Sequence, residues 1–118
     1  MSENALLFAE IATTLDDYFD GIFEGSTEKL DRVFHPDGRL SCVTDGTLSA
    51  VDKDGYLDIV RNRAAPINSG AARYDKIVSI DMAGPGAAVA KVECAVPPRF
   101  FTDILTMIKV DGQWRIIN

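Results

Sequence analysis

The sequence predicts an α+β domain in which three helices from the N-terminal half pack on one face of a curved, mainly antiparallel mixed β-sheet. Three observations predict it. Apolar residues recur at helical spacing across residues 4–24, alternating runs dominate from residue 74 onward, and the element order reads α-α-β-β-α-β-β-β-β. Helices first and long antiparallel strands last argue against a parallel, doubly wound sheet. The 118 residues suit one domain, 1–118, with a single core.

In residues 4–24, Leu7, Ile11, Leu15, Tyr18 and Ile22 fall three or four apart, flanked by Phe8, Phe19 and Phe23. This gives a wide apolar stripe along a first helix. Gly25 suits the left-handed position that ends it. Ser26 can cap a short second helix with Glu28 in its first turn and Leu30, Val33 and Phe34 on one side. His35-Pro36-Asp37-Gly38 stops that helix and turns the chain. A first strand is expected over Arg39–Thr44, and Asp45-Gly46 turns it into a partner near Thr47–Val51. Asp52 or Asp54 can cap a third helix reaching about Ala65 and burying Tyr56, Leu57, Ile59 and Val60. Pro66 ends it, and Pro66–Ala72 reads as a surface loop. Tyr74–Met82 and Ala87–Val96 read as strands joined by Ala83-Gly84-Pro85-Gly86, and Pro97-Pro98 breaks the second of them.

The last element carries the most information. Asp111-Gly112 between alternating runs is a strong signal for a two-residue hairpin turn, which needs positive φ at both central residues. Such a turn fixes the register: Val110 faces Gln113, Lys109 faces Trp114, Met107 faces Ile116 and Leu105 faces Asn118. One face then carries Phe101, Asp103, Leu105, Met107, Trp114, Ile116 and Asn118. The other carries Phe100, Thr102, Ile104, Thr106, Ile108, Arg115 and Ile117. Both are largely apolar, so a sheet covered on both sides is expected, with an acid facing an enclosed space.

Hydrophobic content of 47%, charged content of 25% and a net charge of −6 describe an ordinary acidic globular chain. The acidic balance repels phosphate backbones and anionic lipids, so neither nucleic acid nor membrane is an expected partner. No apolar run approaches the ~18 residues needed to span a bilayer, and Met1-Ser2-Glu3-Asn4 lacks the basic start of a signal peptide. Cys42 and Cys94 are far apart and read as free thiols in a cytoplasmic protein. One histidine and no Cys/His cluster make a zinc site improbable. No phosphate loop, Ser-His-Asp or Cys-His arrangement, or carboxylate cluster appears, so no cofactor or metal is expected.

Tyr18-Phe19-Asp20-Gly21-Ile22-Phe23-Glu24-Gly25, then Leu30-x-x-Val33-Phe34-His35-Pro36-Asp37-Gly38, then Phe101-Thr102-Asp103-Ile104-Leu105-Thr106-Met107-x-Lys109-x-x-Gly112-x-Trp114-Arg115-Ile116 resembles the NTF2-like superfamily. Within it the chain is similar to the branch called putative lumazine-binding. The resemblance spans nearly the whole chain and implies a cone-shaped α+β fold, the same cone as SnoaL and ketosteroid isomerase, with an interior pocket and often a dimer through the outer sheet face. Members include isomerases, dehydratases, polyketide cyclases, transport factors and assembly modules, so fold does not choose among them. The family pattern continues the last strand beyond the position of Asn118.

The ketosteroid-isomerase branch builds an oxyanion hole from a tyrosine on its first helix and a protonated aspartic acid on a late strand, with a second aspartate as base. The resemblance puts Tyr18 and Asp103 at the two donor positions, as candidate catalytic residues polarising a carbonyl. It puts Cys42 near the position of the base, where a thiol serves poorly unless its pKa is lowered. The expected ligand-facing set is Tyr18, Cys42, Tyr56, Phe101, Asp103, Leu105, Trp114 and Asn118, with Asn118 diagonally within reach of Asp103. Trp114 offers a surface to a flat ring. Arg61, Arg63, Arg73 and Arg99 could ring the mouth and attract an anion, while His35 reads as a helix-end residue. A small organic ligand, aromatic or heterocyclic, is expected, and a homodimer through Phe100, Ile104, Ile108 and Ile117. The alternatives are an isomerase, dehydratase or cyclase-type enzyme, and a structural module with a filled cone.

Overall fold

A computed structural model describes residues 2–118. Helix α1 (Glu3–Glu24) starts at Ser2, whose side chain accepts the Ala5 N–H, and ends at Gly25, whose φ of 67° supplies the left-handed cap. Helix α2 (Thr27–Val33) is capped by Ser26, whose hydroxyl accepts the Lys29 N–H at 3.2 Å. Strands β1 (Arg39–Thr44) and β2 (Thr47–Asp52) form a hairpin about Asp45-Gly46. Of the two acids proposed to cap helix α3 (Lys53–Asn62), Asp52 does so, accepting the Gly55 N–H at 2.8 Å. The helix stops at Arg63, short of Ala65. The following segment is not wholly loop, since Pro66–Asn68 forms one 3₁₀ turn with Pro66 buried.

Strands β3 (Asp75–Met82), β4 (Ala87–Val96), β5 (Arg99–Val110) and β6 (Gln113–Ile116) make a meander in which every pairing is antiparallel. The Asp111-Gly112 turn has φ of 51° and 78°, and Met107 pairs with Ile116 and Lys109 with Trp114, the register the turn demands. The expected mixed sheet is divided. β1 and β2 form a separate two-stranded ribbon, and the parallel component is a single bridge between Phe34 and Ile116. The His35 N–H donating to the Ile116 carbonyl and the Arg39 N–H to that of Ile117 tie the root of the ribbon to β6.

The core lies between the helices and the inner face of the meander. Leu7, Ile11, Leu15, Tyr18 and Ile22 of α1 bury their stripe against Ala88, Ala90 and Val92 of β4 and Leu105 and Met107 of β5. The two alanines leave room for the helix to sit close to the sheet. Two apolar residues expected inside lie outside: Phe8 is exposed, and Ile59 is 45% exposed because α3 turns it toward the mouth of the cone. No helix among the described residues is long and apolar enough to cross a membrane.

Candidate functional site

The open end of the cone holds a cavity of about 200 Å³, lined in part by Tyr18, Cys42, Tyr56, Arg63, Cys94, Phe101 and Asp103. Three parts of the fold build it. α1 delivers Tyr18 from its buried stripe. The inner faces of β4 and β5 deliver Cys94, Phe101 and Asp103, with Cys94 paired to Phe101 and Asp103 to Val92 across the ladder. α3 and the ribbon close the remaining sides with Tyr56, Ile59, Arg63, Ser41 and Ser49.

At its centre the Tyr18 hydroxyl donates to Asp103 Oδ2 at 2.7 Å. The Cys94 thiol donates to the same oxygen at 3.8 Å, within the range of a sulfur hydrogen bond. Burial, reinforced by the neighbouring Tyr56 and Asp103, holds the Tyr18 phenol well above its usual pKa, so it remains a donor. Burial also pushes the Tyr56 phenol to about 12, against a downward pull from Arg63. The Cys94 thiol rises to about 12 for the same first reason, with Asp103 adding to it. Two neutral proton donors, Tyr18 and Cys94, therefore face the Asp103 carboxyl group, and Tyr56 keeps its proton nearby.

Of the eight residues expected to face a ligand, the fold brings Tyr18, Cys42, Tyr56, Phe101 and Asp103 together and leaves three out. Leu105 shares the face of Asp103 but is sealed under α1 in the core. Trp114 lies opposite Lys109, six residues farther along β5 than Asp103, or about 20 Å at ~3.3 Å per residue. Its indole N–H donates to Glu10 Oε2 at 3.2 Å beside a separate surface groove. Asn118 is exposed. β6 ends at Ile116, and the Thr106 N–H donates to the Asn118 carbonyl, so the expected pairing with Leu105 is not kept.

Among the arginines, only Arg63 lines the cavity. Arg61 pairs with Asp58, Arg73 with Asp20 and Asp75 while lying 5.1 Å over the Phe23 ring, and Arg99 is exposed. His35 is outside the cavity, its Nδ1 accepting the Asp37 N–H at 3.0 Å. Cys94 was not in the expected set. Its only sequence signal is the Ala88, Ala90, Val92, Cys94 alternation, which puts it on the buried face of β4. No group of His, Cys, Asp or Glu suited to a metal ion occurs among the described residues.

Comparison with known proteins agrees with this architecture. The family model described as "Putative lumazine-binding" matches residues 7–118. An aldolase, FrzH, from a Cladobotryum species is 27% identical over 103 residues, covering 86% of this chain and 78% of its own. An NTF2-like protein of unknown function from Silicibacter pomeroyi superposes with a TM-score of 0.86 at 22% identity, covering 99% and 94% of the two chains. A protein from Novosphingobium aromaticivorans described as a putative scytalone dehydratase gives 0.65 at 21% identity, covering 98% and 82%.

Proposed function

Because the chain belongs to the family described as "Putative lumazine-binding" and has the NTF2-like α+β cone, we propose that it binds a small organic molecule, aromatic or heterocyclic, in the cavity at the open end of the cone. The observation that carries this reading is the Tyr18–Asp103 hydrogen bond at the wall of an otherwise mostly apolar cavity. Binding sites combine apolar walls with a few convergent polar groups that fix orientation. At about 200 Å³ the space suits a ligand smaller than the drug-sized molecules that fill ~300–1,000 Å³.

The test is native mass spectrometry of the purified protein, with a thermal scan against small heteroaromatic compounds. A retained compound is expected. A ligand at 100 times its Kd stabilises by about 2.7 kcal/mol, a rise in Tm on the order of 10 °C for a domain of this size. A protein carrying nothing and stabilised by nothing would contradict the reading.

A second reading is an enzyme of the isomerase, dehydratase or cyclase kind acting beside a carbonyl. The 27% identity to an aldolase favours it, since aldol chemistry also passes through charge developing next to a carbonyl. The working unit we propose for either reading is a cytoplasmic homodimer through the outer sheet face, where Phe100 and Ile104 are 75% and 66% exposed.

A further inference from the structure

Asp103 is engaged from one side only. Tyr18 and Cys94 both donate to Oδ2, and among the described residues no group donates to Oδ1. Tyr18 has one proton, and it is already directed at Asp103. A pair arranged to donate two hydrogen bonds to one ligand oxygen would leave both protons free; here the tyrosine and the thiol aim the carboxyl group and leave its second oxygen as an acceptor. Donors for a ligand come from elsewhere. Tyr56 lines the same cavity with its hydroxyl beside the Arg63 guanidinium, and its own proton is committed to no acceptor among the described residues. Arg63 lies near enough to pull down the Tyr56 pKa. Arg63 is half-buried, and no carboxylate stands within ion-pair distance of it among the described residues, whereas Arg61 and Arg73 are paired.

We propose that the cavity takes a small anionic carbonyl compound of the 2-oxo acid type, with its carboxylate on Arg63, its carbonyl oxygen at Tyr56 and Arg63, and its acidic C–H facing Oδ1 of Asp103, which acts as the base. The roles are reversed from a donor pair polarising a carbonyl: Tyr18 and Cys94 are positioning residues and Asp103 receives the proton. In the step, the C–H bond next to the carbonyl breaks and an O–H bond forms on Asp103. The C–H electron pair becomes the carbon–carbon double bond, and the carbonyl π pair moves onto its oxygen, giving an enolate opposite Arg63 and Tyr56. Return of a proton to carbon restores the base. A guanidinium matches the two coplanar oxygens of a 2-oxo acid. With a net charge of −6 the protein as a whole repels anions, so Arg63 alone must supply the attraction.

This inference rests on small-molecule binding in the cavity, and the experiment separates the two. The probe is phenylpyruvate, with its methyl ester as the neutral control. Binding is read by calorimetry, and exchange of the carbon-3 hydrogens by proton NMR in deuterated buffer. Wild-type protein is expected to bind the acid at least tenfold more tightly than the ester and to raise exchange ~100-fold over buffer, the lower end of what a placed base supplies. Arg63→Gln should remove the preference for the acid. Asp103→Asn, nearly isosteric, should exchange at the buffer rate while its Kd stays within about threefold; if it does not fold, Asp103→Glu reads the same quantity with the base displaced. Cys94→Ala should lower exchange and shift its pH profile, and Cys94→Ser should restore both, which a purely structural cysteine would not do. Equal binding of acid and ester, no binding of phenylpyruvate, or full exchange in the Asp103 variant overturns the proposal. Any of these together with a retained compound in the wild-type protein leaves small-molecule binding standing; none retained and no ligand bound removes that reading too.

Discussion

Tyr18 and Asp103 show how much a few side chains decide. Tyr18→Phe removes the donor and leaves Oδ2 with the weaker thiol bond alone, so a loss of about 1–3 kcal/mol is expected in urea denaturation. The cysteine has a signature in pH. A thiol in the unfolded chain ionises near ~8.5, whereas Cys94 in the folded protein keeps its proton to about 12. Below that window both states are protonated and the stabilisation is complete. As pH rises through it, the unfolded state releases a proton that the folded state retains, and stability falls. Tyr56 adds to the fall between its ordinary value of 10.0 and about 12. Denaturation from pH 8 to 11 should show this decline, and Cys94→Ser should delay its onset toward the tyrosine range. The inward placement of Asp103 was legible because a two-residue turn fixes which face each β5 residue takes. The thiol donor beside it was not, because Pro97-Pro98 reads as a strand break, whereas it is a two-residue connection that sets Val96 opposite Arg99 and so Cys94 opposite Phe101.

Elements meet at close quarters where α1 crosses α2. A methyl group on Gly21 would come within 2.7 and 2.8 Å of the Leu30 side chain, which is fully buried and has nowhere to go. Gly21→Ala is therefore expected to cost ~1–3 kcal/mol in spite of its gain in helix propensity, and thermal unfolding would measure it. Caps, turns and strand register were readable because each is written within a few neighbouring residues. What could not be read was how far along β5 the cavity extends. Leu105 and Trp114 share the face of Asp103, yet α1 covers that face from Leu105 onward, and only the residues before it meet open space. The separation of β1 and β2 from the meander was likewise hidden, since it depends on where the Phe34–Arg39 segment docks on β6.

The whole molecule has extents of 40 × 29 × 27 Å and a radius of gyration of 14.2 Å. Its outer sheet face leaves Phe100 and Ile104 exposed, with Val89 exposed farther along β4, while Ile108 and Ile117 are half-buried. Monomers rarely leave such a patch bare, and each side chain covered contributes ~1.5–3 kcal/mol. In sedimentation at micromolar concentration the protein should be a dimer and Ile104→Lys a monomer. A wild-type monomer would remove the dimer from the proposed function. The hydrogen bond between Tyr18 and Asp103 also joins residues 85 positions apart, and that between Trp114 and Glu10 joins residues 104 apart. The first helix and the last hairpin must therefore find each other before the cavity has a wall. Long-range closure of this kind slows folding and leaves no partial structure able to hold a ligand. Occupancy should thus oppose global opening rather than local fraying. With ligand bound, amide hydrogen exchange should slow in step at the two ends of the chain, in α1 and in β5–β6, as though the N-terminal and C-terminal segments were one cooperative unit.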